Sequence, residues 1–296
     1  MSKVPRAAQE NGGTATIRSA RYRWRRRTLR GVLYGYLVVG ALAILVPYFW
    51  MLSASLKPRG EIFRAGINFL PQQPILDNYL TVLDGFPIIR WLVNSFLIGL
   101  LILATNLTLT VAAGYAFARL RFWGRDVLFL VYIGAMMVPI QVRMIPSFII
   151  VMKIGWLNTY QGIASLQLIE FFGIFLIRQF MLNLPRELED AARIDGCSWF
   201  RVLWQIILPN SRPALAALAI FTFTASWNDF LWPLVIINKP EIMTIQVGLA
   251  TMKGSAFSVS GLLMAATMIS ALPLAIVYRL LQRQFTQGVV MSGIKG

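Results

Sequence analysis

The sequence predicts an all-α membrane protein with six transmembrane helices, and three observations lead there. The chain of 296 residues is 57% hydrophobic, with mean hydropathy +0.64 and only 14% charged residues, whereas a soluble domain carries about 25% charge. Its apolar residues fall in runs long enough, at about 20 residues each, to cross the hydrocarbon of a bilayer. Glycine and proline, 22 and 14 of them, are spread through those runs along with 9 Trp, a mixture usual in membrane helices. The catalytic inventory is thin. With no histidine, a Ser-His-Asp triad, a His-ligated zinc site and a histidine general base are excluded within the chain. The single cysteine, Cys197, excludes an internal disulfide and a multi-cysteine metal cage. No catalytic residue, cofactor or metal is expected.

Taken in order, the first span is the uncharged stretch 31–56 and the second the uncharged stretch 91–118. The third covers 127–142 and is interrupted by Pro139. Beyond Arg143 a further apolar piece, 144–152, contains Pro146; the region reads as the end of span three followed by a short re-entrant or interfacial helix. Span four, 162–182, contains Glu170 and Arg178; span five, 213–237, contains Asp229; span six, 258–280, has Pro273 near its inner end. The outer segment 57–90, with Pro71, Pro74 and Pro87, is expected to be a compact loop with a short helix at the membrane surface. No polar stretch is large enough for a core of its own, so an energy source must come from another chain. The organisation expected is a basic cytoplasmic tail, 1–30, and a transmembrane unit, 31–296.

Charge distribution orients the chain. Residues 1–30 hold nine basic side chains against Glu10 and account for +8 of the net +16. Their core, Arg21-Tyr-Arg-Trp-Arg-Arg-Arg, runs into the first apolar segment. That placement fits an anchor against anionic lipid headgroups rather than a nucleic-acid arm. The following apolar run is too long for a signal h-region and lacks a small-residue cleavage site. With the N-terminus inside, Lys and Arg divide 20 inside to 8 outside, which places both termini in the cytoplasm. No internal repeat is evident, which removes one support for a secondary transporter.

One cytoplasmic segment carries a specific pattern. Residues 183–212 hold Pro185 ahead of Glu187, Glu189 and Asp190, acids suited to the first turns of a helix. Gly196 suits the left-handed position that ends it, and Ser198 can cap a second helix to about Ile207, stopped by Pro209. Leu188, Ala191 and Ala192 lie on one side of the first helix, where two alanines permit close approach of a partner. By local physics alone this is equally a solvated connector lying on the membrane. The spacing, however, resembles the cytoplasmic loop of bacterial ABC importer permeases: Glu-Ala-Ala, three residues, Gly, nine residues, Ile, one residue, Leu-Pro. Here Asp190-Ala191-Ala192, Gly196, Ile206, Leu208 and Pro209 stand at those positions. Asp190 replaces the glutamate, keeping its charge with one methylene less of reach. Cys197 reads as a small apolar residue with no redox role.

Ala113-Gly-Tyr-Ala-Phe-Ala-Arg, Trp227-Asn-Asp-Phe-Leu-Trp-Pro-Leu and the terminal Ser292-Gly-Ile-Lys-Gly are similar to the carbohydrate branch of that family, in its second permease of the maltose and glycerol-phosphate type. The resemblance covers about residue 30 to the end. It implies a type I ABC importer permease fold in a bacterial inner membrane, paired with a sister permease, two ATPase subunits and an extracytoplasmic solute-binding protein. It also implies that Glu187, Glu189, Asp190, Ala191, Ala192, Asp195 and Gly196 form the contact that couples to the ATPase. A phosphate-binding GxxxxGK[ST] loop is absent from the sequence, so ATP is left to a partner.

Charged groups at membrane depth are expensive and usually face a bundle interior. Glu170 and Arg178 are two turns apart, too far for direct pairing, and Arg178 can snorkel inward. Asn228 and Asp229 interrupt span five ahead of Pro233. Glu170, Asn228, Asp229, Gln141 and Trp227 are the candidates for a solute path, with Asn94 and Trp232 behind them; interhelical hydrogen bonding is the competing role for each. A stand-alone secondary transporter is the alternative function, although the pattern at 183–212 has no part in it. Which sugar or polyol is carried is not legible in the sequence.

Overall fold

The computed structural model describes the backbone of residues 11–62, 68–254 and 260–293, with side chains at 28–62, 68–253, 261–280 and 282. The basic run 21–27 therefore lies outside the described side chains, and so does the terminal Ser292-Gly-Ile-Lys-Gly pattern. Everything described is helical or irregular, with no strand among the described residues.

Three helices are long and apolar enough to cross a bilayer on their own. They are Thr28–Ser55 within α1 (Asn11–Ser55), α4 (Ile88–Arg119), and Gly261–Leu280 within α15 (Ser260–Gly293). Between α1 and α4 lie two short helices, α2 (Arg59–Ile62) and α3 (Asp77–Gly85), in the expected extramembrane segment. Here the Asn78 amide donates to the carbonyls of Ser55 and Lys57, and Glu61 accepts from the Gln72 N–H. These bonds tie the loop to the end of the first span.

The remaining apolar segments are bent pairs. α5 (Arg125–Met136) and α6 (Ile140–Lys153) meet at 101°, and Pro139, which cannot continue the hydrogen-bond ladder, sits at the corner. Tyr160–Gln167, comprising α7 (Tyr160–Ala164) and a 3₁₀ turn, meets α8 (Phe171–Leu182) at 52°. The expected continuous fourth span is thus broken, at Glu170. With a third bent pair, Trp199–Asn210 and Arg212–Asn228, counting each pair as one crossing gives up to six.

The pattern at 183–212 folds as α9 (Glu187–Ile194), a turn at Gly196, then α10 (Trp199–Val202). Gly196 has φ 81°; its N–H bonds to Arg193 O and the Cys197 N–H to Ala192 O, the Schellman arrangement. Ser198 Oγ accepts from the Arg201 N–H. Pro209 does not stop the second helix. A π-helical turn, Leu203–Ile207, joins α10 to α11 (Leu208–Asn210); the widened turn accommodates the ring and missing N–H of the proline. The chain bends only at Ser211, where α12 (Arg212–Asn228) begins at 80° to it. The fifth span is also not continuous. It stops at Asp229, resumes as α13 (Leu231–Ile236), and leads on to α14 (Ile245–Gly254).

α8, α12, α14 and α7 pack on α4, while α1 packs on α15. The buried side chains of α4 enter three apolar clusters in turn: Trp91 with Phe223 and Trp227; Ile98 and Ile102 with Trp232; Val111 and Tyr115 with Ile177, Met181 and Ala192. Close approach needs glycine. A Cβ at Gly114 would sit 2.7 Å from Ile177 Cγ2, and one at Gly248 would sit 2.2 Å from the Trp91 ring.

Gly114→Val should therefore wedge α4 from α8. A thermal shift of the purified protein should report a loss of about 1–3 kcal/mol. Gly134→Ala in α5, where a Cβ would meet nothing within 4 Å, should not lower the transition and should raise it by up to about 1 kcal/mol through helix propensity.

Candidate functional site

Helix α9 is anchored by what it buries. Ala192 joins the α4–α8 cluster, and Glu189 turns inward beneath the helix to Arg119 at the end of α4. Arg119 Nε and Glu189 Oε1 are 2.6 Å apart, with side chains 3% and 6% exposed. The guanidinium also donates through Nη2 to the Leu184 carbonyl at 2.7 Å. Burial raises the Glu189 pKa, while the Arg119 charge opposes that rise. On the far side, Arg193 lies over the Trp199 ring at 3.8 Å. A cavity of about 560 Å³ opens beside the pair, bounded by Arg121, Phe122, Arg186 and Trp199.

The sequence-based expectation holds both alanines and both acids ready for a partner. The structure divides them. Ala192 and Glu189 are buried against the chain's own core and serve to fix the helix. Glu187, Asp190, Ala191 and Ile194, at positions i, i+3, i+4 and i+7, form the outward face; Asp195 is exposed at its end. Ile194, 86% exposed, is an apolar side chain of that face which the motif does not point to. Its helical spacing from Asp190 and Ala191 was the available signal.

The second site lies where spans four and five break. Glu170 is the last residue before α8, in extended conformation (φ −98°, ψ 121°), and its Oε2 accepts from Thr222 Oγ1 at 3.1 Å. Asp229, extended at the end of α12, accepts from Gln167 Nε2 at 2.6 Å. Asn106 of α4 donates to the Gln167 carbonyl and accepts from Thr110. Glu170, Thr222, Asp229, Gln167 and Asn106, together with Arg143 of α6, line a cavity of about 340 Å³. Backbone at a helix break in hydrocarbon persists only where it lines a cavity or is buried in protein, and this cavity meets that requirement.

Of the five path candidates, two line this cavity, Glu170 and Asp229. Asn228 is exposed on α12, with its amide donating back to the Thr224 carbonyl. Gln141 is exposed in the first turn of α6, beside the cavity but not in its lining. Trp227 is a packing residue. It is 2% exposed, stacked on Phe223, and donates to the Ser270 carbonyl. Asn94 and Trp232 likewise lock elements together, Asn94 on the carbonyls of Glu241 and Met243 and Trp232 on that of Gly162. Sequence reasoning missed Asn106, Gln167, Thr222 and Arg143 as lining residues. The first three are polar residues in apolar runs, a signal present but shared with ordinary helix-locking groups. Arg143 counts as a loop cation until the 101° corner turns it inward.

Comparison with known proteins bears on both sites. Residues 107–291 match the family model described as the binding-protein-dependent transport system inner membrane component. The chain is similar to the arabinooligosaccharides transport system permease protein AraQ of Bacillus subtilis, 33% identical over 86% of this chain and 92% of that one. It is also similar to the sn-glycerol-3-phosphate transport system permease protein UgpE of Pectobacterium atrosepticum, 33% identical over 86% and 94%. Among solved structures, a chain of a bacterial ABC transporter involved in import of the acidic polysaccharide alginate superposes with TM-score 0.77. The two are 25% identical, with 88% of this chain and 98% of that one covered.

Removing one partner of a buried ion pair costs about 3–5 kcal/mol, because the other is left uncompensated. Arg119→Ala should accordingly free α9. Hydrogen exchange should show protection of 187–194 lost by at least about tenfold, with a smaller loss in Glu189→Gln. Unchanged protection in both variants would show that the apolar contacts of Ala192 hold the helix alone.

Proposed function

This chain belongs to the family of binding-protein-dependent transport system inner membrane components, and on that premise we propose its working arrangement. It is the pore-forming permease subunit of an ATP-driven ABC importer, a transporter component and not an enzyme. It pairs with a sister permease, takes force from two ATPase subunits inside, and receives solute from an extracytoplasmic binding protein. Carbohydrates and related polyols are the cargo class, in line with the arabinooligosaccharide and sn-glycerol-3-phosphate systems of the relatives.

The observation that carries this reading is the cytoplasmic helix. α9 presents Glu187, Asp190, Ala191 and Ile194 outward while Glu189 and Ala192 fasten it to the end of α4. Force from a separate ATPase has to cross a non-covalent contact, and a rigid lever passes on displacement that a flexible loop would absorb. Asp190 offers charge to a basic group of the ATPase, Ala191 lets its surface approach, and Ile194 supplies an apolar contact. Gly196 and Asp195 set the turn that ends the lever.

Six crossings follow from counting each bent pair as one, and the 20 to 8 charge division supports cytoplasmic termini. In this arrangement residues 1–30 are a basic tail at the cytoplasmic face of a bacterial inner membrane, and 31–296 form the permease. The solute path passes the cavity of Glu170 and Asp229, with Asn228 and Gln141 at its margin.

Gly196→Val places a β-branched side chain at φ 81°, a backbone position it resists, although no neighbouring atom would be struck. Uptake by the complete importer should fall at least about tenfold, the equivalent of 1.4 kcal/mol, with normal insertion in the membrane. Asp190→Lys should weaken co-purification of the ATPase or leave hydrolysis running without transport. Wild-type uptake, solute-stimulated ATPase activity and co-purification in both variants would refute α9 as the coupling element.

A further inference from the structure

The cavity between the two broken spans has a composition that bears on the charge of its cargo. Its charged lining consists of two carboxylates, Glu170 and Asp229, against one guanidinium, Arg143. Neither carboxylate has a cation within 4.0 Å, since the two ion pairs among the described residues lie elsewhere. Arg143 is instead placed over the face of the Phe171 ring at 5.2 Å. Both carboxylates act as acceptors, Asp229 from Gln167 Nε2 and Glu170 from Thr222 through Oε2. Glu170 Oε1 has no protein partner among the described residues, so an acceptor remains for a hydroxyl donor.

We propose that this cavity selects solute by charge, admitting neutral polyhydroxylated solutes and rejecting anionic ones such as phosphate esters and uronates. A sugar hydroxyl donates to a carboxylate oxygen at little cost. A phosphate or carboxylate has no proton to offer and meets a surplus of one negative charge, in surroundings where salt screens weakly. Arg143 limits that surplus; without it the cavity would carry two uncompensated carboxylates. Family membership does not decide the point, because the relatives' named cargoes include both a neutral and an anionic solute. The inference rests on the reading of this cavity as part of the solute path.

The single native cysteine makes a direct test simple. Cys197→Ser removes it, and Ala225→Cys introduces a thiol on the exposed lining of the cavity. The complete importer in inside-out membrane vesicles is treated with a cationic trimethylammonium-ethyl or an anionic sulfonato-ethyl methanethiosulfonate, and rates are normalised to those of a free thiol. The cation should react about tenfold faster or more, the range typical of a charged cleft. Adding Glu170→Gln and Asp229→Asn should invert the preference, since Arg143 then stands alone; Arg143→Gln should increase it. Equal rates, or a preference untouched by the double substitution, would overturn the charge selection. ATP with orthovanadate tests the underlying reading separately: a cavity on the path should change its labelling rate several-fold. A rate indifferent to nucleotide overturns the path assignment, whereas a nucleotide-dependent rate without charge preference overturns the selection alone.

Discussion

Inside hydrocarbon a backbone N–H or C=O that leaves the helical ladder finds no water, and the cost of several kcal/mol per group forces it to find another partner. This constraint explains where the chain is continuous and where it is interrupted. α4 runs unbroken from Ile88 to Arg119 and needs nothing from outside. Spans four and five stop at Glu170 and Asp229, and both interruptions face the same cavity. There the Asn106 amide takes up the Gln167 backbone carbonyl, while the Gln167 and Thr222 side chains donate to the carboxylates of Asp229 and Glu170. The polar cavity is thus the condition under which two broken spans can exist.

α4 links this region to α9. Asn106 and Arg119 are thirteen residues apart on one helix, about 20 Å at 1.5 Å rise per residue. One contributes to the cavity and the other pairs with Glu189 beneath α9. Gly114, between them, lets α8 approach closely enough for Ile177 to fill the gap. A displacement of α9 therefore has a packed route toward the cavity through α4 and α8. A buried ion pair at the root of that route is weak evidence for stability, because desolvation offsets much of its Coulombic gain. Its burial beneath α9, with the second Arg119 bond to the Leu184 carbonyl, suits it to holding α9 in register.

Much of this was legible in the residues. The turn at Gly196 and the cap at Ser198 follow from backbone and side-chain chemistry within four residues, and both appear as expected. The long first, second and sixth spans follow from uncharged runs. The breaks at Glu170 and Asp229 were harder to see: a single acid in an apolar run is compatible with a continuous helix whose charge faces a bundle interior. Trp227 and Asn228 show the same limit, since adjacent residues of one motif face opposite ways, one into the core and one outward.

By itself the sequence determined the class of the molecule, a helical membrane component of a transport system, and the location of the helix and glycine turn at α9. Hydropathy, proline and glycine act locally or sum over a segment, so they can be read without knowing what lies nearby. Tertiary structure alone decided which acid of α9 turns inward to Arg119, that Arg143 enters a cavity, and that Gln167 meets Asp229 across 62 residues. Those partnerships depend on the angles at which helices meet. Packing between surfaces far apart in the chain sets these angles, and no local pattern records them.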